Sequence, residues 1–206
     1  MKGPLVASTS LRLKGHAGTS NTALLLIDFI NDLDFGEGEQ LAPYAIAAAR
    51  ATAALKARAD AAGVPAIYVN DNFGRWQSRF DQAVKHCRRA GGHGRKLATI
   101  LAPKTRDYFV LKPMHSGFYL TPLALLLEHL GVRRLVLTGL LADSCVLFTA
   151  NDAYLRRYRI TVPSDCVASV EPQHAEQALD HMRRNLKAQI RPSQKLIFQR
   201  SMSTGA

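Results

Sequence analysis

Three apolar runs in this chain each stop at a charged residue or a tight turn. Ala23-Leu24-Leu25-Leu26-Ile27 closes on Asp28, Tyr108-Phe109-Val110-Leu111 closes on Lys112, and the run through Leu137 breaks at Gly139, shortly before Cys145. Strands of a parallel sheet covered on both faces read as continuous apolar runs of this kind. In such sheets, ligands gather outside the carboxyl ends of the strands. Asp28, Lys112 and the turn before Cys145 are therefore predicted to meet at one edge of one sheet. Taken singly, Asp28 could cap a following helix and Lys112 could simply reach solvent. It is the coincidence of all three at strand ends that marks them.

Strand and helix patterns alternate along the chain, which predicts parallel βαβ units. The strand candidates are residues 23–28, 65–70, 107–111, 133–138, 158–163 and 194–198. The helices expected between and after them cover 41–62, 120–130, 143–157 and 172–189. Gly63 and Gly131 stand where helices stop and Pro172 where one starts. The predicted fold class is α/β: a three-layer α/β/α, Rossmann-like fold with a mainly parallel sheet of about six strands. Residues 1–20 are expected to form a flexible arm and 21–206 a single domain. The first strand is followed by Asp28-Phe29-Ile30-Asn31-Asp32 and not by a glycine-rich turn, so the dinucleotide fingerprint is missing. Gly91 to Lys96 lacks the Gly-Lys-Ser/Thr ending of a phosphate loop. No cofactor is expected.

Cys145 lies where a strand pattern ends and a helical one begins. A thiol at a helix N-terminus feels the positive end of the dipole, which favours the nucleophilic thiolate; the alternative is a small buried core cysteine. Cys87, inside Lys85-His86-Cys87-Arg88-Arg89, is a rival on electrostatics but lacks the strand-end turn. Cys166 is expected to be buried near the sheet edge. Three cysteines without close pairing argue against a disulfide framework and for a reducing compartment, the cytoplasm by default.

The 206 residues carry a formal charge of +11, with 47% hydrophobic and 21% charged residues. No apolar stretch approaches the roughly 20 residues of a membrane span, so no membrane partner is expected. The basic excess admits anionic partners, but no helix-turn-helix, zinc finger or aromatic stacking stripe converts it into specific nucleic-acid recognition. A small-molecule substrate is expected instead.

Three blocks carry a resemblance. Leu26-Ile27-Asp28-Phe29-Ile30-Asn31-Asp32, Lys112-Pro113-Met114-His115-Ser116-Gly117-Phe118 and Gly139-Leu140-Leu141-Ala142-Asp143-Ser144-Cys145-Val146 resemble, in order, the signature blocks of the isochorismatase-like cysteine hydrolases. The similarity runs from about residue 22 to about residue 190. It implies that Asp28 is the general base and acid, that Lys112 holds the thiolate and orients Asp28, and that Cys145 is the nucleophile. It further implies a non-proline cis peptide between Leu140 and Leu141, which would aim the N–H groups of Leu141 and Cys145 at an oxyanion. Members commonly assemble as dimers or tetramers, so a homo-oligomer is expected.

The nicotinamidases among them carry Asp-x-His after the second strand. The matching stretch here is Asn70-Asp71-Asn72-Phe73-Gly74, without the histidine, and no metal is expected. The reaction this implies is hydrolysis of a C–N bond in a small amide or carbamoyl compound. Phe29, Trp76, Phe118 and Tyr119 are candidates for an aromatic wall around it, though each could equally be core. Members that cleave vinyl ethers do without the catalytic cysteine, so Cys145 points away from that chemistry. A non-catalytic binding protein on the same fold is the remaining alternative.

Overall fold

The apolar runs fold as adjacent strands of one parallel sheet. In the computed structural model, which describes residues 20–72, 79–89 and 92–198, the strands are β1 (Thr22–Ile27), β2 (Ala66–Asp71), β3 (Tyr108–Lys112), β4 (Arg134–Leu140), β5 (Arg159–Pro163), β6 (Val167–Ala168) and β7 (Gln189–Arg191). Their order is β3-β2-β1-β4-β5-β7, with the two-residue β6 paired to the end of β4. Every pairing is parallel. The order reverses between β1 and β4, which opens a crevice outside their carboxyl ends.

Helices cover both faces. α1 (Gly38–Ala61), α2 (Phe80–Arg89) and α3 (Gly92–Ile100) lie on one side; α4 (Leu123–His129), α5 (Leu147–Leu155) and α6 (Pro172–Asn185) lie on the other. Successive residues of β1 serve opposite layers, as strand geometry requires. Leu24 and Leu26 pack with Leu41, Leu55 and Leu97, whereas Ala23, Leu25 and Ile27 pack with Leu123, Leu127 and Leu179. Each fully buried leucine contributes roughly 2 kcal/mol by removal of apolar surface from water. This is the expected three-layer α/β/α arrangement, with seven strands.

One buried ion pair fixes the strand that carries Lys112. Lys56 of α1 is buried, with Nζ 2.9 Å from Asp107 Oδ2 and 3.5 Å from Asp60 Oδ2. Asp107 immediately precedes β3 and also accepts the Lys104 N–H at 2.7 Å. The edge strand is thus tied to α1 at its entry.

The structure departs from the sequence expectations at the C-terminal end. The strand expected at 194–198 is instead β7, five residues earlier, because α6 stops at Asn185 and Pro192 cannot donate to a ladder. Residues Ser193–Lys195 form a 3₁₀ turn. Asp165 holds that turn, accepting from the Ser193 N–H at 2.6 Å and the Ser193 hydroxyl at 2.7 Å. Trp76 lies outside the described residues, as does the arm expected at 1–20 apart from Ser20.

Candidate active site

Asp28 is the residue after β1, in the left-handed region at φ 52°, with its N–H bonded to the Val69 carbonyl at 2.9 Å. Aspartate is among the few non-glycine residues that enter this region readily. Opposite it in the ladder, Gly139 pairs with Ile27 at φ 142°. A Cβ on Gly139 would sit 2.2 Å from the Ile27 carbonyl oxygen, so only glycine lets β4 pass this close to the end of β1. The Leu140–Leu141 peptide that follows is cis.

The chain then enters a π-helical turn (Ala142–Val146) that runs into α5. Such turns are frequent at functional sites. The Leu141 carbonyl accepts the Ser144 and Val146 N–H groups at 3.2 and 3.1 Å, closing the turn. Asp143 makes no capping bond to the turn. Its carboxylate accepts the Ser169 hydroxyl and approaches His174 Nδ1 at 3.8 Å, which ties the turn to the loop after β6 and to α6.

Asp28, Lys112 and Cys145 meet in the crevice between β1 and β4. Lys112 Nζ is 2.8 Å from Asp28 Oδ2 and 3.4 Å from Cys145 Sγ. The Asp28 carboxylate lies beside the thiol and acts on it electrostatically, and its Oδ1 accepts the Asp71 N–H at 2.7 Å. Lys112 is 0% exposed and Asp28 5%, while Cys145 is half-buried at the opening.

Burial raises the Asp28 carboxyl above its usual range against the pull of Lys112. For Lys112, burial opposes the charge, but Asp28, Cys145 and Asp71 outweigh it and hold the ammonium above its ordinary value. The Cys145 thiol is pushed up to about 12, first by burial and then by the neighbouring Asp28 charge, with Lys112 opposing. Burial and the Asp28 charge thus oppose the thiolate that a helix N-terminus favours, and the Asp28 carboxylate lies beside the sulfur as a proton acceptor.

The other cysteines are set differently. Cys87 and Cys166 are both 0% exposed, and burial pushes their thiols up to about 11 and about 12. The cations around Cys87 in sequence do not offset that burial, because its side chain points into the core beneath α2.

Among the candidate wall residues, Phe29 and Phe118 are buried in cores on opposite faces of the sheet. Phe118 stacks with Tyr158 and lies under the Arg156 guanidinium, 4.8 Å from its ring centre. A single aromatic wall made from both is therefore not formed. Tyr119 is exposed.

Two residues that sequence reasoning left outside the site adjoin it. Asp71 ends β2 beside Lys112 in the register, with its Oδ2 3.8 Å from Nζ. It follows the apolar run Ala66 to Val69 with only Asn70 between, so a weaker form of the signal that marks Asp28 was present. His115 places Nδ1 3.8 Å from Cys145 Sγ and 3.4 Å from Ser144 Oγ. Nothing in its local sequence announces that position. Among the described residues, no group of three or more His, Cys, Asp or Glu side chains is placed to hold a metal ion. Among the same residues, no helix is long and apolar enough to cross a membrane.

An open parallel α/β sheet with a cysteine, a lysine and an aspartate at its switch point defines a recognisable class of fold and site. Residues 22–193 match the isochorismatase domain, and the chain belongs to the isochorismatase family. It is 40% identical over 178 residues to the isochorismatase family protein YaaI of Bacillus subtilis, covering 86% of this chain and 97% of that one. The crystal structure of N-carbamoylsarcosine amidase from Thermoplasma acidophilum superposes with a TM-score of 0.66 at 29% identity, covering 85% of this chain and 98% of that one. A shorter similarity, 35% over 88 residues, links 43% of this chain with 38% of the ureidoacrylate amidohydrolase RutB of an Enterobacter strain.

Proposed function

We propose that this protein is a cysteine hydrolase that cleaves the C–N bond of a small amide or carbamoyl compound through a thioester on Cys145. The hydrolase class rests on family membership, with amidases among the relatives. The observation that carries the finer reading is the contact of Lys112 Nζ with both Asp28 and the Cys145 sulfur.

Asp28 accepts the thiol proton as sulfur attacks the carbonyl carbon. The carbonyl electron pair moves to oxygen, where the N–H groups of Leu141 and Cys145 are proposed to receive the charge. Collapse of the tetrahedral adduct breaks the C–N bond, and the amine leaves with the proton from Asp28. Asp28, again a carboxylate, then takes a proton from water as the hydroxyl oxygen attacks the thioester. The C–S bond breaks, the acid departs, and the thiolate recovers the proton. A carboxyl raised by burial is suited to this double duty, because general acid–base catalysis is most effective when the group's pKa approaches the working pH. Lys112 stays charged throughout and compensates whichever of Asp28 and Cys145 is the anion.

Assembly as a dimer or tetramer belongs to the same reading, supported by exposed Leu120, Leu125 and Leu155 on the α4 and α5 side. The test is ammonia release from a panel of primary amides, carbamoyl compounds and nicotinamide, with Cys145→Ala as control. Turnover that Cys145→Ala abolishes supports the reading. Turnover that it leaves intact would refute it.

A further inference from the structure

Part of the chain's basic excess gathers in one place that the active site does not use. Around the amino-terminal ends of β4 and β5, away from the end of β4 that leads to Cys145, lies a cavity of about 1120 Å³. Arg134, Arg157, Arg159, Lys187, Arg191 and Lys195 line it. Leu135 and Ile160 belong to the core on the α5 side, so strand alternation turns Arg134 and Arg159 toward the α1 side. The segment from Leu196 to Phe198 walls the cavity there. Leu196 and Phe198 pack on the α1-side core, and Arg58 of α1 donates to the Leu196 and Ser193 carbonyls, each at 2.8 Å.

No carboxylate answers these cations. The chain has 16 Asp and Glu residues, all of them among the described residues, and none lines the cavity. Among the described residues none of the six cations forms an ion pair. Arg191 donates to the Gln189 amide oxygen at 2.8 Å and Lys187 to the Arg184 carbonyl at 2.9 Å, both neutral acceptors. Arg157 and Lys187 stand just beyond α5 and α6, where a cation also meets the negative end of a helix dipole. That reason does not extend to Arg134 and Arg159. They open β4 and β5 as direct neighbours in the parallel register. Like charges side by side on adjacent strands are destabilising, and the chain supplies no counter-charge to offset them.

We infer that this cavity binds an oligophosphate, free or carried on a nucleoside, whose oxygens pair with the Arg134 and Arg159 guanidinium groups. The planar fork of arginine matches phosphate oxygens, and four of the six cations are arginines. One small anion would leave most of the positive charge uncompensated, so the ligand carries several charges along a chain. A nucleic acid is disfavoured, because the cations surround one cavity and do not run as a stripe along a helix. The site stands apart from Cys145, and the inference does not depend on the reaction there.

Isothermal titration calorimetry on the full chain at fixed ionic strength, with tripolyphosphate, metal-free ATP and citrate as probes, tests this. Tripolyphosphate should bind at one site per chain and more tightly than citrate. Arg134→Gln/Arg159→Gln should weaken it by about tenfold or more, the loss expected when charge-assisted hydrogen bonds are removed. Lys85→Gln/Arg88→Gln removes the same charge from α2 and should leave the affinity within about twofold, because screening separates distant exposed charges. In thermal unfolding, tripolyphosphate should raise the midpoint of the wild type and of the α2 variant far more than that of the cavity variant, whose own transition shows that it is folded. Equal affinity for tripolyphosphate and ATP would support recognition of the phosphate chain alone; tighter binding of ATP would support a phosphate site that also holds the nucleoside. The inference is overturned by no binding of either probe, by equal weakening in both variants, or by citrate binding as tightly as tripolyphosphate. A single-stranded oligonucleotide that binds more tightly than tripolyphosphate, with an affinity the cavity substitutions leave unchanged, would overturn it as well.

Discussion

The Lys112 ammonium and the Asp28 carboxylate form a 2.8 Å pair with almost no solvent contact, one from the edge strand β3 and the other from the central strand β1. The Cys145 thiol sits against both, so the two charges act on it in opposite directions. Removing either should cost several orders of magnitude in turnover, but alkylation of Cys145 should separate them. Asp28→Asn removes a charge that raises the thiol, so alkylation near neutral pH should speed up while turnover is lost. Lys112→Ala removes the stabilising cation and should slow alkylation. Unchanged or faster alkylation in Lys112→Ala would remove Lys112 from its thiolate-stabilising role, and slower alkylation in Asp28→Asn would show that the Asp28 charge does not raise the thiol.

The pH profile follows from the direction of the Asp28 shift. Turnover needs the carboxylate form to take the thiol proton, so kcat/KM should rise with pH as Asp28 ionises. Because burial raises that carboxyl, the acid limb should lie above the ordinary aspartate value of about 4. On the alkaline side, Lys112 is held above its usual value, so its loss of charge should not limit the rate below about pH 10. An acid limb at or below about pH 4 would contradict the assignment of Asp28 as the base.

Cys145→Ala should abolish turnover and leave the urea midpoint nearly unchanged, since the residue is half-buried and its backbone sets the turn. In the native protein one alkylation per chain is expected, at Cys145, because Cys87 and Cys166 have no solvent exposure. Peptide mapping of the labelled protein checks this. Modification of Cys87 at a comparable rate would show that α2 opens more readily than its packing implies.

Lys56→Ala should destabilise the fold by about 3 to 5 kcal/mol, because it leaves Asp107 buried at the start of β3 without its counter-charge. Denaturant unfolding measures the loss. Since β3 carries Lys112, the surviving folded fraction should also alkylate more slowly at Cys145.

Gly139→Ala should cost at least about 3 kcal/mol. The added methyl would meet the Ile27 carbonyl at 2.2 Å, and the backbone there is at φ 142°. Thermal unfolding measures the shift, and a variant of unchanged stability would show that the end of β4 can move away from β1.

The strands that end in Asp28 and Lys112 were legible in the sequence because a parallel strand buried on both faces has little choice but a continuous apolar run, and a charge can stand only where the run meets the edge. The same reasoning located Cys145 at a strand-to-helix turn. Local patterns failed where the deciding partners were distant. Phe29 and Phe118 read as possible wall residues, but the loops after β1 and β3 carry them into separate cores on opposite faces of the sheet. The last strand fell at Gln189–Arg191 because the end of α6 and the hold of Asp165 on Ser193 outweighed the apolar run that followed. The thiol's affinity for its proton was set by burial and by Asp28, more than a hundred residues away, against the helix terminus beside it. His115 came to the mouth of the site because Ser116 and Gly117 are anchored on α5. Periodicity and chain ends are local properties, which sequence alone determines; burial and the field at one sulfur sum over every neighbour, and only the tertiary structure decides them.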